Sequence, residues 1–109
     1  MKAKHLSTAL LVFAAAAGAH AQTSLTIVDA HRAYYFGRYK QSLSLYEQLA
    51  ATGSAEAAER AAFMLLQAEG HYGHDVSRDV DRATALLLQA ARSGRPSAAF
   101  MLNMLEGSD

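Results

Sequence analysis

From Thr26 onward the apolar residues fall three and four positions apart, the period of helices with one covered face. No stretch keeps up the apolar-polar alternation of a strand, and there is no Asn-Gly or Asp-Gly hairpin turn. Gly37, Gly53, Gly70, Gly73 and Gly94 punctuate the pattern and leave five predicted helices. The first runs over about 26–36, with Ile27, Ala30, Tyr34 and Tyr35 at helical spacing. The second covers about 40–52 and turns Leu43, Tyr46, Leu49 and Ala50 inward. The third covers about 55–69, with Ser54 placed to cap it and Glu56 suited to the positive end of the helix dipole. The fourth, about 80–93, has Asp79 as cap and Val80, Ala83, Leu87, Ala90 and Ala91 as its inner face. The fifth starts at Pro96, where a missing N–H costs nothing, and is apolar nearly all round through Phe100, Met101, Leu102, Met104 and Leu105. Such a helix needs cover.

The chain partly repeats itself. With a shift of 41 residues, "LYEQLAATGSAEAA" (Leu45 to Ala58) lies on "LLLQAARSGRPSAA" (Leu86 to Ala99) with six identities and no gap. Gln48 meets Gln89, Ala50 meets Ala91, Gly53 meets Gly94, Ala57 meets Ala98 and Ala58 meets Ala99. A helix, a glycine stop and a helix with an early Ala-Ala pair therefore occur twice. One such hairpin cannot bury its apolar face alone and has to stack on the next. The expected fold is all-α, a short α-solenoid of antiparallel helical hairpins amounting to about two and a half repeats.

The first residues read differently. Lys2, Lys4 and His5 precede an apolar run from Leu6 to Gly18, which closes on Ala19-His20-Ala21. That is the order of a secretory signal peptide over 1–21, cleaved before Gln22. The alternative, a membrane span, is disfavoured because about 13 apolar residues reach only about 20 Å of a ~30 Å hydrocarbon core. The expected mature domain is 22–109, periplasmic or secreted, with no stable membrane span once the signal is removed. Without Lys2 and Lys4, eight basic residues face ten acidic ones, a balance with no electrostatic footprint for nucleic acid. The chain has no cysteine, so an exported domain would depend on packing alone.

The segment "GHDVSRDVDRATALLLQAARSGRPSA" (Gly73 to Ala98) resembles the core of a Sel-one-like repeat, a relative of the tetratricopeptide repeat. Gly73, Val76, Asp79, Arg82, Ala83, Leu86, Leu87, Ala90, Ala91, Gly94 and Ala98 occupy the places of that pattern. The family usually has aromatics where Leu86 and Leu87 stand, and a second glycine where Asp75 stands. The stretch "YYFGRYKQSLSLYEQLAATG" (Tyr34 to Gly53) is similar to a tetratricopeptide hairpin turning at Gly37, with Tyr46 and Ala50 in second-helix positions and Ser42 in place of the usual alanine. The third helix departs further, being longer and carrying Ala61-Ala62 in place of the usual Leu-Gly. The resemblance implies a binding scaffold without a shared active site: a protein–protein adaptor of the bacterial cell envelope that holds a protein or peptide on its concave face.

Candidate chemistry is sparse. His71, His74, Asp75, Asp79 and Asp81 could supply imidazole and carboxylate ligands to a zinc-like ion, which makes a small metal-binding protein the alternative function. A glycine-flanked loop does not fix the spacing of His71 and His74, so the expected reading is an ordinary solvated connection with no metal and no cofactor. Tyr39 and Tyr46 are expected inside the first hairpin. Tyr34, Tyr35 and Arg38 are the candidate partner contacts, since tyrosine and arginine are enriched at interfaces. Phe63, Met64, Phe100, Met101 and Met104 are expected to be mostly core. Met101 and Met104 on the last half-repeat are also candidate contacts, either for a partner or for a homodimer. There is no glycine-flanked serine elbow, phosphate loop or dinucleotide fingerprint, and the expectation is a protein that is not an enzyme.

Overall fold

The computed structural model describes residues 24–107. The expected signal peptide lies outside the described residues. Within them the fold is all-α: α1 (Ile27–Tyr35), α2 (Tyr39–Ala51), α3 (Ala55–Gln67), the single turn α4 (Glu69–Tyr72) with a 3₁₀ turn (Gly73–Asp75), α5 (Val80–Arg92) and α6 (Pro96–Gly107). All five predicted helices form, with ends shifted by a residue or two. Side-chain caps appear where the sequence placed them. Ser54 Oγ accepts from Ala57 N at 3.2 Å and Asp79 Oδ1 accepts from Arg82 N at 3.0 Å.

Three helix ends are built alike. After α1, α2 and α5 the chain turns through three residues with a glycine in the left-handed region: Gly37 at φ 76°, Gly53 at φ 104° and Gly94 at φ 95°. Each glycine N–H bonds back to a carbonyl of the last turn (Tyr34, Ala50, Ala91), and the next residue's N–H bonds one residue further back (Ala33, Leu49, Ala90). That paired pattern satisfies carbonyls a helix end otherwise leaves unpaired, and it needs a residue without a Cβ penalty at positive φ. Each turn folds the next helix back along the one it follows: α1 packs on α2, α2 on α3 and α5 on α6.

α3 ends differently. Gly70 is no stop; it lies inside α4, and the break falls at Ala68, which takes φ 42°, ψ −127° while almost fully buried. An alanine there is strained. The surroundings hold it in place. Asp79 N donates to the Leu65 carbonyl at 3.2 Å, and the Arg78 guanidinium donates to the Leu66 carbonyl at 2.6 Å, so the connection itself caps the end of α3. The connection is exposed along most of its length, as expected, but it is not merely a solvated loop. Tyr72 and Val76 are buried and anchor the connection to the core. Gly73, at φ 64°, ends α4.

The core is small-residue packing around a few large side chains. Ala57, Ala58, Ala61 and Ala62 of α3 are wholly buried, and α5 lies on that helix with Ala83, Leu87 and Ala90 fully covered. Alanine at successive turns lets the two helix axes approach closely, where ridges of side chains fill grooves. Ser42 is buried too, and its hydroxyl donates to the Ala30 carbonyl at 3.0 Å, so a polar group on α2 ties down α1 without an unsatisfied atom. Val80, expected inward, is instead 38% exposed, at the rim of an open hollow with Leu102 and Leu105. Among the described residues no helix is long and apolar enough to cross a membrane.

Candidate functional site

A groove of about 350 Å³ opens across α1, α3 and α6. α1 contributes Tyr34, α3 contributes Glu59, Arg60, Phe63 and Met64, and α6 contributes Ser97 and Met101, with Tyr46 of α2 and Tyr72 of α4 reaching in from below. Helical spacing sets this up. Arg60, Phe63 and Met64 lie three and four residues apart on one face of α3, with Glu59 beside them.

The floor is aromatic. The Tyr34, Tyr39 and Tyr72 rings meet edge-on or tilted, with centroids 4.8–5.7 Å apart, the arrangement aromatic quadrupoles favour. The Tyr34 and Tyr72 hydroxyls hydrogen-bond at 2.9 Å. Burial, and then the bond from Tyr34, push the Tyr72 phenol well above its ordinary value, and burial also raises Tyr46. Both stay neutral at physiological pH. The Tyr46 hydroxyl meets His31 Nδ1, and the other ring nitrogen of His31 lies 3.7 Å from Glu56. A polar chain therefore links α1, α2 and α3 beside the groove.

The walls are charged but unequal. Glu59 is held by Arg95, at 2.9 Å from Nη2, and by the Ser97 hydroxyl. Burial alone would raise its carboxyl, but these hydrogen bonds outweigh burial and leave it below the usual carboxylate range. Arg60 donates through Nε to Glu56 at 3.1 Å, and its charge also acts on Glu59 and Tyr46. The groove thus offers apolar walls, tyrosine hydroxyls at its base and a guanidinium set among acidic and phenolic neighbours.

The structure separates the candidate residues. Tyr34 and Met101 line the groove. Tyr35, 85% exposed, stands beyond its edge over a smaller hollow with His31 and Arg60. Met104 is 60% exposed on the following turn of α6. Arg38 lies away from the groove, over the Phe36 ring and beside an open hollow with Lys40 and Asp75. Phe63 and Phe100, expected in the core, are instead exposed, because no helix covers that side of α3 or α6 among the described residues. Met64 is buried as expected. The repeat-defining residues take structural places: Tyr46, Ala50, Ala57, Val76, Ala83, Ala90 and Ala98 are buried, Ala91 is half-buried and Asp79 caps α5. His71, His74, Asp75, Asp79 and Asp81 do not converge, and among the described residues no three His, Cys, Asp or Glu side chains are placed to hold a metal ion.

Tyr72, Glu59, Arg60 and Ser97 are groove residues the sequence reading passed over. Tyr72 had a signal, an aromatic alone between two glycines. Glu59 and Arg60 had none, since charges on a helix face are usually only solvated. No protein-family model matches the chain, and neither does any curated protein or solved structure.

Proposed function

We propose that the protein is a non-enzymatic interaction module that holds a peptide segment of a partner protein in the groove across α1, α3 and α6. The observation that carries this reading is the convergence of Tyr34, Phe63 and Met101, from three helices that are not neighbours in the chain, on one apolar hollow. Pockets with apolar walls and a few placed polar groups are the usual form of binding sites. In this reading the helices form a short solenoid of the Sel-one-like and tetratricopeptide kind. α1, α3 and α6 are first helices on the inner side, and α2 and α5 are second helices behind them. Bonds between like-numbered helices support it: His31 to Glu56 and Glu59 to Ser97 on the inner side, Arg82 to Glu47 and the Gln89 side chain to the Ala50 carbonyl on the outer. The proposed setting is the periplasm or the exterior of a bacterial cell, and it rests on the signal-like residues 1–21.

Panning a random peptide library against the purified protein tests the function. Peptides selected on it should bind Phe63→Ala and Met101→Ala variants about tenfold more weakly or worse, as expected for central apolar contacts. Selected peptides that bind both variants like the parent would sink the groove as the site.

A further inference from the structure

We propose that the outer face of α1 is a self-association surface, on which a second copy of this chain lays its own α1 antiparallel about a two-fold axis. Helical spacing divides α1 into two faces. Ala30 and Ala33 are buried and Ile27 and Tyr34 half-buried, so these turn toward α2 and the core. On the opposite side Val28, Arg32 and Tyr35 lie four and three residues apart in one stripe open to solvent. Val28 is 54% exposed and Tyr35 85%, and Leu25 just before the helix and Phe36 just after it are exposed as well. The neighbouring α2 shows the ordinary alternative, since its exposed residues include Lys40, Gln41, Ser44 and Gln48. α1 instead presents apolar side chains to water, which marks a surface of association.

The charges on that face select a second copy and its direction. Asp29 stands in the first turn of α1 and Arg32 in its last. One Asp29 oxygen accepts from Thr26 N at 2.8 Å, and the other faces Arg32 Nη1 at 3.7 Å. That is an exposed ion pair too long for a hydrogen bond, and such pairs contribute little, so both groups can take a second partner. Two parallel copies of α1 would set Arg32 against Arg32. Turned antiparallel, with the axis level with residues 30 and 31, they set Val28 on the aliphatic stem of the second copy's Arg32. The same turn brings that guanidinium to the first copy's Asp29. Two-fold symmetry repeats the contact, so each acid meets a base and each base an acid. Tyr35 then lies toward the second copy's Leu25.

The size of the face sets the strength. Buried aromatic side chains contribute about 150–250 Å² each, so Tyr35 and Phe36 of two copies bring roughly half of a ~1,200 Å² interface. That is the lower end for specific contacts, and the expected dimer is reversible, with a dissociation constant on the order of 10 μM.

The test is sedimentation equilibrium on the protein made from the full chain, loaded from about 1 μM to about 300 μM, on either side of that value. The expected result is a reversible monomer–dimer equilibrium that Val28→Glu and Tyr35→Ser each weaken about tenfold or more. Phe100→Ser and Met104→Ser, on α6, should leave it unchanged. Asp29→Lys and Arg32→Glu should each be monomeric, because each sets like charges across the axis. An equimolar mixture of these two variants should dimerise again, since it sets lysine and arginine of one copy against glutamate and aspartate of the other. The substituted side chains are at the surface, and a helical circular-dichroism spectrum verifies the fold of each variant. A parent that stays monomeric at every concentration overturns the proposal and leaves the face to a partner of another sequence. A dimer broken by the α6 variants but not by those in α1 overturns it as well. Two folded charge variants that remain monomeric when mixed overturn the antiparallel pairing, and the proposal with it.

Discussion

α3 and α6 are the same helix by sequence register, yet they live in different surroundings. α3 lies between α2 and α5 and is covered on two sides, whereas α6 packs chiefly on α5 and is tied to α3 through Arg95 and Ser97 on Glu59. Eight and eleven residues past the starting point α3 has Ala62 and Leu65, both buried, where α6 has Asn103 and Glu106, both exposed. At other places the pair agree: Ala57 matches Ala98 and Ala61 matches Leu102, and all four are buried. The difference lies in the second face of the helix. α6 keeps an alanine and a leucine at the positions buried in both helices and carries polar, exposed residues where α3 has its second buried pair. Phe100 and Met104 of α6 are exposed as well.

The comparison breaks most sharply if the paired residues are exchanged. Ala62→Asn, which puts the residue of α6 into α3, should cost about 3 kcal/mol, because an amide would be forced into a site with neither room nor partners. Asn103→Ala should stay within about 0.5 kcal/mol. Urea melts of the two variants measure both, and equal costs would mean that α3 and α6 are equally covered in solution.

The connection after α3 gives the next effect. Tyr72→Phe removes the hydroxyl bond to Tyr34 and should cost about 1 kcal/mol, since the half-buried Tyr34 hydroxyl can still reach water. The Tyr72 phenol is raised by burial, so its contribution is fully present below the ordinary tyrosine value and is lost as pH climbs through the raised one. Stability should fall above about pH 10 in the parent and fall less steeply in Tyr72→Phe. Identical alkaline limbs would show that Tyr72 titrates freely.

Glu59 joins α3 to the start of α6 and works in the opposite direction. Its carboxyl is depressed, so its contribution is present above the ordinary carboxyl range and is lost as pH falls through the lowered value. Denaturation followed from about pH 5 down to about pH 2 should show a fall that Glu59→Gln flattens and Ser97→Ala flattens in part. A Gln variant with the same acid slope as the parent would show that the contact does not hold in solution.

Ala68 gives the smallest change. Ala68→Gly should relieve the positive-φ strain, and after the lost methyl group and the freer unfolded chain are counted it should gain about 0.5 kcal/mol. By contrast Ala61→Gly, in mid-helix, should lose about 1 kcal/mol or more. A loss at Ala68 as large as that at Ala61 would show that the break in α3 is unstrained.

The five longer helices, two of their side-chain caps and three of the turns were legible in the chain because their causes are local, whereas the short α4 and the break at Ala68 were not. Ser54 and Asp79 cap the N–H groups three residues on, and Gly37, Gly53 and Gly94 close their turns within six residues. The alanines of α3 and α5 announced close packing for the same reason, since size alone fixes how near two backbones can come. Other features were settled by what happens to lie alongside. Phe63 and Leu65 are both large apolar residues of one helix, and only the presence of α5 on one side and open groove on the other makes one exposed and the other buried. Gln48 and Gln89 match in the repeat, yet one bonds to Ser44 within its own helix and the other reaches the Ala50 carbonyl of a neighbouring helix. Tyr72 becomes a groove residue through Tyr34 and Tyr39, more than thirty positions away, and Ala68 accepts positive φ because Leu65, Leu66, Arg78 and Asp79 hold the backbone around it. Caps and turns depend on neighbours in sequence, whereas burial and the groove depend on neighbours in space, and those exist only once the helices have packed.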